Sequence, residues 1–189
     1  GLGDVYKRQL LDVAIIGGGP AGSTAATYLS IMGYDVAVFE KEKFPRQHVG
    51  ESLVPFCYYL FEEMGVLDEL KTRFVRKPGI RFTNADGTKS NTWCFKSVLE
   101  GPANLSFHVI RAEFDKVLLD NARKNGATVF EETKVTAVNL KEPSGNVHLT
   151  TKSNGVEQNY SAKFLIDASG QNTFLSSRQR TKKPYKGLE

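Results

Sequence analysis

The first forty residues alternate apolar runs with glycine and polar breaks, a pattern that predicts a strand, a helix and a second strand. Residues 11–16 form a short apolar run, rich in β-branched residues and broken only by Asp12, which is typical of a strand buried on both faces. Between residues 21 and 32 the apolar positions recur at helical spacing, and Gly33 is a typical helix stop. Residues 35–39, which are apolar after Asp35, predict the next strand.

Three glycines lie at the junction between the first predicted strand and the helix, with the spacing G-x-G-x-x-G. Gly17 allows a tight turn, Gly19 allows the backbone to approach a pyrophosphate, and Gly22 allows close packing of helix on strand. Glu40 follows at roughly the distance at which an acid binds ribose hydroxyls. The pattern predicts a dinucleotide site, and the alternative is a chance glycine turn with a solvent-facing Glu40.

Composition narrows the class of protein without naming it. The 189 residues carry a formal net charge of +4, with the basic residues scattered, so a nucleic-acid surface is not indicated. Cys57 and Cys94 are the two cysteines, and their spacing indicates reduced thiols rather than a metal site. No apolar stretch is long enough to predict a membrane span.

A polar loop follows Glu40 and contains further candidate ligands. Arg46 has the charge and shape to bind phosphate oxygens, and residues 50–52 offer small or polar groups that suit a flat ring. Lys41 is the first residue of this loop, and its residue type alone favours an ordinary surface charge.

The segments GGGPAGS at residues 17–23 and FPRQHVGESLVP at residues 44–55 resemble the FAD-binding domain of flavin-dependent halogenases, within the aromatic-hydroxylase-like flavoproteins. The resemblance implies an α/β fold: a glutathione-reductase-like FAD-binding Rossmann domain with a parallel sheet, a β-meander and part of a second, substrate-layer sheet. It also implies a set of FAD contacts. These are Gly17, Gly19, Pro20, Ala21, Gly22, Glu40, Lys41, Arg46, Gly50, Glu51, Ser52, Arg111, Val135, Asp167 and Gly170.

Lys77 is the candidate catalytic residue. The family carries a lysine in a similar Lys-x-Gly-x-x-Phe setting, where it binds hypohalous acid or forms a haloamine with it. A partly desolvated ammonium can lose its proton and become nucleophilic, whereas a guanidinium stays charged. The alternative is that Lys77 is one more member of a solvated basic run.

The middle of the chain is predicted from apolar spacing. Residues 52–69 read as one helix, with Phe56, Leu60, Met64 and Leu67 on its apolar face. The aromatic residues of this segment could form a cofactor box, although core packing and a partly exposed amphipathic face are favoured. Strands are predicted on both sides of Pro78 and at residues 93–95 and 107–110, in a layer apart from the nucleotide sheet.

The last part of the chain predicts a helix followed by several strands. Arg111 begins a helix whose apolar face includes Phe114 and Leu118, and a cation there favours a nearby anion. Strands are predicted at residues 127–130, 134–140, 147–151 and 160–166. The last of these ends in Asp167-Ala-Ser-Gly170, which resembles a second flavoprotein signature; the alternative for Asp167 is a plain strand-end cap.

The resemblance implies a halogenase that uses reduced FAD, O₂ and chloride or bromide on an electron-rich aromatic or carrier-tethered substrate. A separate flavin reductase and a cytoplasmic location are expected with it. The alternatives are a FAD-dependent monooxygenase or a geranylgeranyl-reductase-like enzyme that oxidises NAD(P)H itself, and a non-catalytic nucleotide-binding module. The expected organisation is a non-native leader at 1–9, FAD-binding parts at 10–73 and 111–176, substrate-layer strands at 74–110 and a truncated tail at 177–189.

Overall fold

A computed structural model describes residues 10–140 and 145–183. The expected leader at residues 1–9 and the end of the expected tail, residues 184–189, lie outside the described residues. The chain forms two compact units, one made of residues 1–44 and 118–189 and the other of residues 45–117.

The described residues form ten strands and five α-helices. The strands are β1 (Leu10–Ile16), β2 (Val36–Phe39), β3 (Val75–Lys77), β4 (Gly79–Thr83), β5 (Ser90–Cys94), β6 (Ser106–His108), β7 (Thr128–Phe130), β8 (Lys134–Asn139), β9 (Val147–Ser153) and β10 (Val156–Asp167). The helices are α1 (Pro20–Ile31), α2 (Tyr58–Glu63), α3 (Leu67–Arg73), α4 (Arg111–Lys124) and α5 (Phe174–Arg178).

The first unit is built on a six-stranded sheet with the order β7-β2-β1-β10-β9-β8. The strands β7, β2, β1 and β10 are parallel to one another, while β10, β9 and β8 pair antiparallel as a meander. Both the parallel sheet and the β-meander expected from the sequence are therefore confirmed. The β1–β10 register places Ile16 opposite Asp167, so the two predicted cofactor motifs end at the same edge of the sheet.

Residues 13–16 of β1 are buried, so this part of the strand is covered on both faces, as its apolar run predicts. Ile15 has no exposed surface and packs with Ala26 of α1 and Leu119 of α4 in one core cluster. Ala14, its neighbour in sequence, is equally buried but belongs to a second cluster on the opposite face, which includes Phe39. Successive side chains of β1 thus pack into two different core clusters, one on each face of the sheet. Both clusters fix the position of the strand end that leads to Gly17.

In the second unit, the single helix predicted for residues 52–69 is wrong. The chain forms a 3₁₀ turn at Pro55–Cys57 and then two short helices, α2 and α3. Gly65 separates the helices with φ +73°, a left-handed conformation that ends α2 at this point. The sequence does not reveal this break, because the spacing of apolar residues continues past Gly65 and a single glycine inside a helical pattern is tolerated.

The predicted apolar face of this segment is also partly wrong. Met64 and Leu67 are buried, but Phe56 is 85% exposed and Leu60 is 37% exposed. The buried residues of α2 are Tyr58 and Phe61, and the Phe61 ring lies edge-on to Phe114 with 5.8 Å between ring centroids. The buried rings of Tyr58 and Phe61 and the exposed ring of Phe56 agree with the favoured interpretation of the aromatic residues, core packing with a partly exposed amphipathic face.

The remaining strands of the second unit form two separate pairs. Strand β3 pairs with β6, and β4 pairs with β5, both antiparallel. Pro78 lies between β3 and β4. It has no N–H to donate to a strand neighbour, so the hydrogen-bond ladder of β3 ends there and that of β4 begins after it. None of these four strands belongs to the six-stranded sheet, as predicted for a layer apart from it.

Candidate functional site

The turn after β1 leaves little room for side-chain atoms. Gly17 has φ +100°, and a Cβ added there would lie 2.6 Å from the carbonyl oxygen of Ala168. Gly22 lies in the first turn of α1, and a Cβ on it would lie 1.9 Å from the carbonyl oxygen of Gly17. The first and third glycines of the motif therefore have steric reasons to be glycine, as the spacing predicts.

Helix α1 begins directly after this turn, with Gly19 as the N-cap and Pro20 at its first position. No acidic side chain lies in its first turn, and no side chain caps it. Within the described part of the chain, the backbone N–H groups of Gly19, Ala21 and Gly22 have no hydrogen-bond acceptor. Open N–H groups and the positive end of the helix dipole together suit a phosphate.

Glu40 follows β2 and reaches the turn. Its carboxylate is buried, with Oε2 accepting the N–H of Gly18 at 2.7 Å and Oε1 accepting the N–H of Glu42 at 2.9 Å. An ionised carboxylate has about four acceptor positions, so two positions stay available to ribose hydroxyls. The ribose role of Glu40 stays a prediction, while the chance alternative of a solvent-facing acid is wrong. Lys41 is exposed and pairs with Glu42 at 3.3 Å.

The second predicted motif follows β10. The N–H of Ala168 donates to the carbonyl of Ile16 at 2.9 Å, so this motif returns beside the first glycine turn, as expected. Asp167 accepts the N–H groups of Ser169 at 3.1 Å and Leu175 at 2.7 Å. These contacts are those of the strand-end cap that the sequence left as the alternative, and a cofactor role for Asp167 and Gly170 stays a prediction.

The Asp167 contacts predict an acid-sensitive stability. Burial raises the pKa of Asp167, but the hydrogen bonds from Leu175 and Ser169 outweigh it, so the pKa lies below its ordinary value. A carboxyl whose pKa is lowered by folding stabilises the protein fully above its unfolded pKa of about 3.9, and this contribution is lost as pH falls through the folded pKa. We expect Asp167→Asn to destabilise the protein at pH 7 and to lose its effect toward pH 3, measured by urea unfolding. The exposed Glu157→Gln is the control, and a pH-independent cost of Asp167→Asn would contradict the prediction.

Val135 is buried in β8, where it pairs with Thr151 of β9. The register shifts between Val135 and Ala137, which leaves an irregular backbone at this position. Its predicted contact with adenine is a backbone contact, and it stays a prediction.

The second unit holds the other predicted FAD contacts. Gly50 has φ +100° and precedes Glu51 and Ser52, which run beside β6. The carbonyl of Glu51 accepts the N–H of Val109 at 2.8 Å, and its side chain lies 3.7 Å from His108. This backbone ladder holds the predicted flavin-facing segment against a strand.

Arg46 and Arg111 were predicted to bind phosphate, and the structure gives both an acidic partner within the chain. Arg111 donates two hydrogen bonds to Asp115, and Arg46 forms an ion pair with the same carboxylate. The anion that a cation at the start of α4 favours is therefore supplied by Asp115, a residue that the sequence analysis missed. An Arg followed four residues later by Asp is the available signal, but this pattern is common on exposed helices.

Lys77 is half-buried at the end of β3. Its ammonium donates to the carbonyl of Leu53 at 3.0 Å and lies 5.3 Å from the centre of the Phe95 ring. Burial lowers the pKa of Lys77 below its ordinary value. These contacts distinguish Lys77 from the exposed Arg76 beside it, and the catalytic role of Lys77 stays a prediction.

Among the described residues, no helix is both long and apolar enough to cross a membrane. Within the same residues, no group of three or more His, Cys, Asp or Glu side chains has a metal-binding arrangement.

Comparison with known proteins identifies the family. The family model for the FAD binding domain matches residues 10–187. A 1H-pyrrole-2-carbonyl-[peptidyl-carrier protein] chlorinase from Pseudomonas fluorescens is 40% identical over 184 residues, covering 88% of this chain and 41% of that protein. The flavin-dependent halogenase armH3 from Armillaria mellea is 36% identical over 172 residues, covering 88% of this chain and 34% of that protein. The chain thus spans about two fifths or less of these relatives.

Two solved flavoprotein structures are similar to this chain in both fold and sequence. The flavin-dependent halogenase CmlS superposes with a TM-score of 0.83 at 38% identity, covering 91% of this chain and 31% of that one. A flavoprotein/dehydrogenase from Cytophaga hutchinsonii gives a TM-score of 0.87 at 35% identity, covering 96% of this chain and 44% of that one.

Proposed function

The chain belongs to the FAD-binding domain family and is homologous to flavin-dependent halogenases, and on this premise we propose that the full-length protein halogenates an electron-rich aromatic substrate. The observation that carries the proposal is Lys77, a half-buried lysine held by the Leu53 carbonyl and the Phe95 ring. The family resemblance implies a lysine in a similar Lys-x-Gly-x-x-Phe setting, which residues 77–82 match.

The first unit has a backbone that fits FAD. The glycine turn leaves no room for a Cβ at Gly17 or Gly22, and the open N–H groups at the start of α1 suit its diphosphate. Glu40 lies against this turn and keeps acceptor positions for a ribose. When bound and reduced, FAD supplies the two electrons that activate O₂ toward a halide.

In this proposal, Lys77 delivers the oxidised halogen to the substrate. Its ammonium donates a hydrogen bond to hypohalous acid, or its neutral amine replaces the hydroxyl of that acid, which releases water and forms a haloamine. The arene carbon then takes the halogen and loses its proton, which leaves as water with the hydroxyl of hypohalous acid or returns to the Lys77 amine. Overall, the arene, the halide, O₂, one proton and reduced FAD would give the aryl halide, oxidised FAD and two molecules of water. The partly desolvated position of Lys77 supports both routes.

The partners in this proposal are a separate flavin reductase, chloride or bromide, and an aromatic substrate that is free or tethered to a carrier protein. The tethered class is supported by the similarity to the chlorinase that acts on a pyrrolyl carrier protein. We place the reaction in the cytoplasm, and the unpaired thiols of Cys57 and Cys94 support this location.

The test is an assay of the purified full-length protein with FAD, NADH, a flavin reductase, O₂ and either halide. A phenol, an indole and a pyrrole-2-carbonyl thioester serve as probes. We expect product with the isotope pattern of chlorine or bromine in its mass spectrum, formed only when the reductase is present. If the protein binds FAD and reoxidises reduced FAD with O₂ but halogenates no probe, free or carrier-bound, the proposal is contradicted.

A second function is the alternative that the sequence left open, FAD-dependent hydroxylation or reduction with NAD(P)H, and one similar structure is that of a flavoprotein/dehydrogenase. The Cytophaga hutchinsonii flavoprotein/dehydrogenase has a TM-score of 0.87 and 35% identity to this chain. An enzyme of this type would oxidise NAD(P)H without an added reductase and would form an oxygenated or reduced product. Measuring NAD(P)H consumption by the protein alone separates the two functions.

A further inference from the structure

Asp115 is a fully buried carboxylate to which the proposed reaction gives no role. It lies on α4 one turn after Arg111, and its side chain has no exposed surface. Burying an ionised carboxylate is costly unless it is both paired and hydrogen-bonded. Its partners therefore indicate what this carboxylate does.

The carboxylate is shared by two arginines of the second unit. Arg111 donates from Nε to Oδ1 at 2.8 Å and from Nη2 to Oδ2 at 3.0 Å, and Nη1 of Arg46 lies 3.4 Å from Oδ2. The Arg111 and Arg46 side chains are only 12% and 13% exposed. Two parallel bonds between a guanidinium and a carboxylate fix the plane of the guanidinium as well as its position.

The third nitrogen of the Arg111 guanidinium turns toward the loop that precedes Glu51. Nη1 donates to the carbonyl of Val49 and lies 3.5 Å from that of Gly50. A Cβ on Gly50 would lie 3.0 Å from the same nitrogen, so the backbone approaches the guanidinium closely.

The other end of this segment is held by the ladder to β6. The N–H of Val109 donates to Glu51, and the N–H of Leu53 donates to Phe107 at 3.0 Å. The backbone at residues 49–53 is thus fixed by a strand on one side and by an arginine on the other. Asp115 orients that arginine.

We infer that Asp115 is a positioning residue that holds the Arg111 guanidinium in one plane and thereby sets the backbone of residues 49–52. The inference rests on the proposed function and on the FAD contacts that the family resemblance implies for Gly50, Glu51 and Ser52. An exposed Arg–Asp pair at i, i+4 contributes little to stability. This pair is buried and also bonded to a loop, so its removal changes the shape of the loop as well as the stability.

The experiment uses the full-length protein with bound FAD and compares Asp115→Asn with Asp120→Asn. Asp120 lies on the same helix, pairs with Arg123 at 2.9 Å and is half-exposed, so it is a matched control. The measured quantities are the FAD dissociation constant, the visible circular dichroism of bound FAD and the melting temperature. We expect Asp115→Asn to weaken FAD binding about tenfold, a loss of the size seen when an outer partner of a metal ligand is removed, and to change the flavin dichroism. Asp120→Asn changes neither.

A purely structural role would lower the melting temperature and leave the spectrum of the folded holoprotein unchanged, which would overturn the inference. The Asp115→Asn change is also introduced into Arg111→Lys, which keeps the charge but loses the two-pronged contact. If Asp115 acts through Arg111, it adds no further change there, and a full additional loss would overturn the inference. Should Asp115→Asn fail to fold, Asp115→Glu replaces it, and an unaltered flavin spectrum overturns the inference. No halide or substrate enters these measurements, so a failure of the halogenase proposal is a separate result.

Discussion

Lys77→Ala in the full-length protein is expected to reduce halogenation by a factor of about 10²–10⁴ while FAD stays bound, a loss typical of removing a proton-transferring or nucleophilic side chain. The Lys77 ammonium has a backbone acceptor in Leu53 and a ring face in Phe95, so its position is defined without the cofactor. Alanine removes the amine and leaves the strand pairing of β3 with β6 intact. Product is measured by mass spectrometry and bound FAD by absorbance.

A second variant at position 77 determines whether the charge or the amine of Lys77 matters, and a variant of an exposed lysine serves as its control. Lys77→Arg keeps a positive charge but cannot become a neutral nucleophile, so it separates charge from amine chemistry. Lys71→Ala is the control, because Lys71 is an exposed residue that forms an ion pair with Asp68 at 3.2 Å. Halogenation at the unaltered rate in Lys77→Ala would remove Lys77 from the mechanism and leave the FAD-binding assignment intact.

The pH dependence then distinguishes the two proposed routes. Burial lowers the pKa of Lys77, so its neutral form is reached at a lower pH than for an ordinary lysine. If the ammonium donates a hydrogen bond to hypohalous acid, the rate falls as pH rises through that pKa. If the neutral amine forms a haloamine, the rate rises over the same range.

The glycine turn and its sheet could be predicted because their signals are local. A β-branched run, three spaced glycines and a following acid all concern residues within one β-α-β unit. The backbone conformation of Gly17 and the contact from Gly18 to Glu40 are consequences of that unit. The elements of this unit therefore lie close to where the sequence places them.

The α2 and α3 region could not be predicted in the same way, because its burial depends on residues far away in sequence. Phe61 is buried against Phe114, which is 53 residues later, while the equally apolar Phe56 stays exposed. The spacing of apolar residues assigns both phenylalanines to a core and does not determine which face of the helix is buried. The break at Gly65 then changes the phase of the pattern between the two helices.

Asp115 shows a second limit of the sequence. An Arg–Asp pair at i, i+4 reads as a surface pair on a polar helix face. Its burial and its link to Val49, 62 residues from Arg111, arise only when the loop folds back on α4. The charge pattern predicted an anion near Arg111 but could not show that the chain itself supplies one.

Gly22→Ala is expected to abolish tight FAD binding and to destabilise the first unit. The Cβ would lie 1.9 Å from the Gly17 carbonyl oxygen, and relieving this clash requires a separation of at least 3.0 Å. The turn must therefore move by more than an ångström, and a shift of this size can cost about 10²-fold at a site built on precise geometry. Overpacking costs typically about 1–3 kcal/mol of stability, and a backbone clash lies at or above the upper end of that range.

The Gly22→Ala substitution separates the cost of the steric clash from the conformational preference of the backbone. It lies within α1, where alanine is favoured over glycine by about 1 kcal/mol, so any loss arises from the clash alone. Gly33 gives the opposite case, because its φ is +87° and nothing lies within 4 Å of an added Cβ. Gly33→Ala should cost about 1–2 kcal/mol from the left-handed conformation and leave the FAD dissociation constant unchanged.

The two variants are compared by urea unfolding of the apoprotein and by titration with FAD. We expect Gly33→Ala to lose stability only, and Gly22→Ala to lose stability together with FAD affinity. The difference follows from position, since Gly22 contacts the turn that carries the open N–H groups and Gly33 lies beyond the far end of α1. If Gly22→Ala bound FAD as tightly as the unaltered protein, the diphosphate would have to be held elsewhere than at this turn.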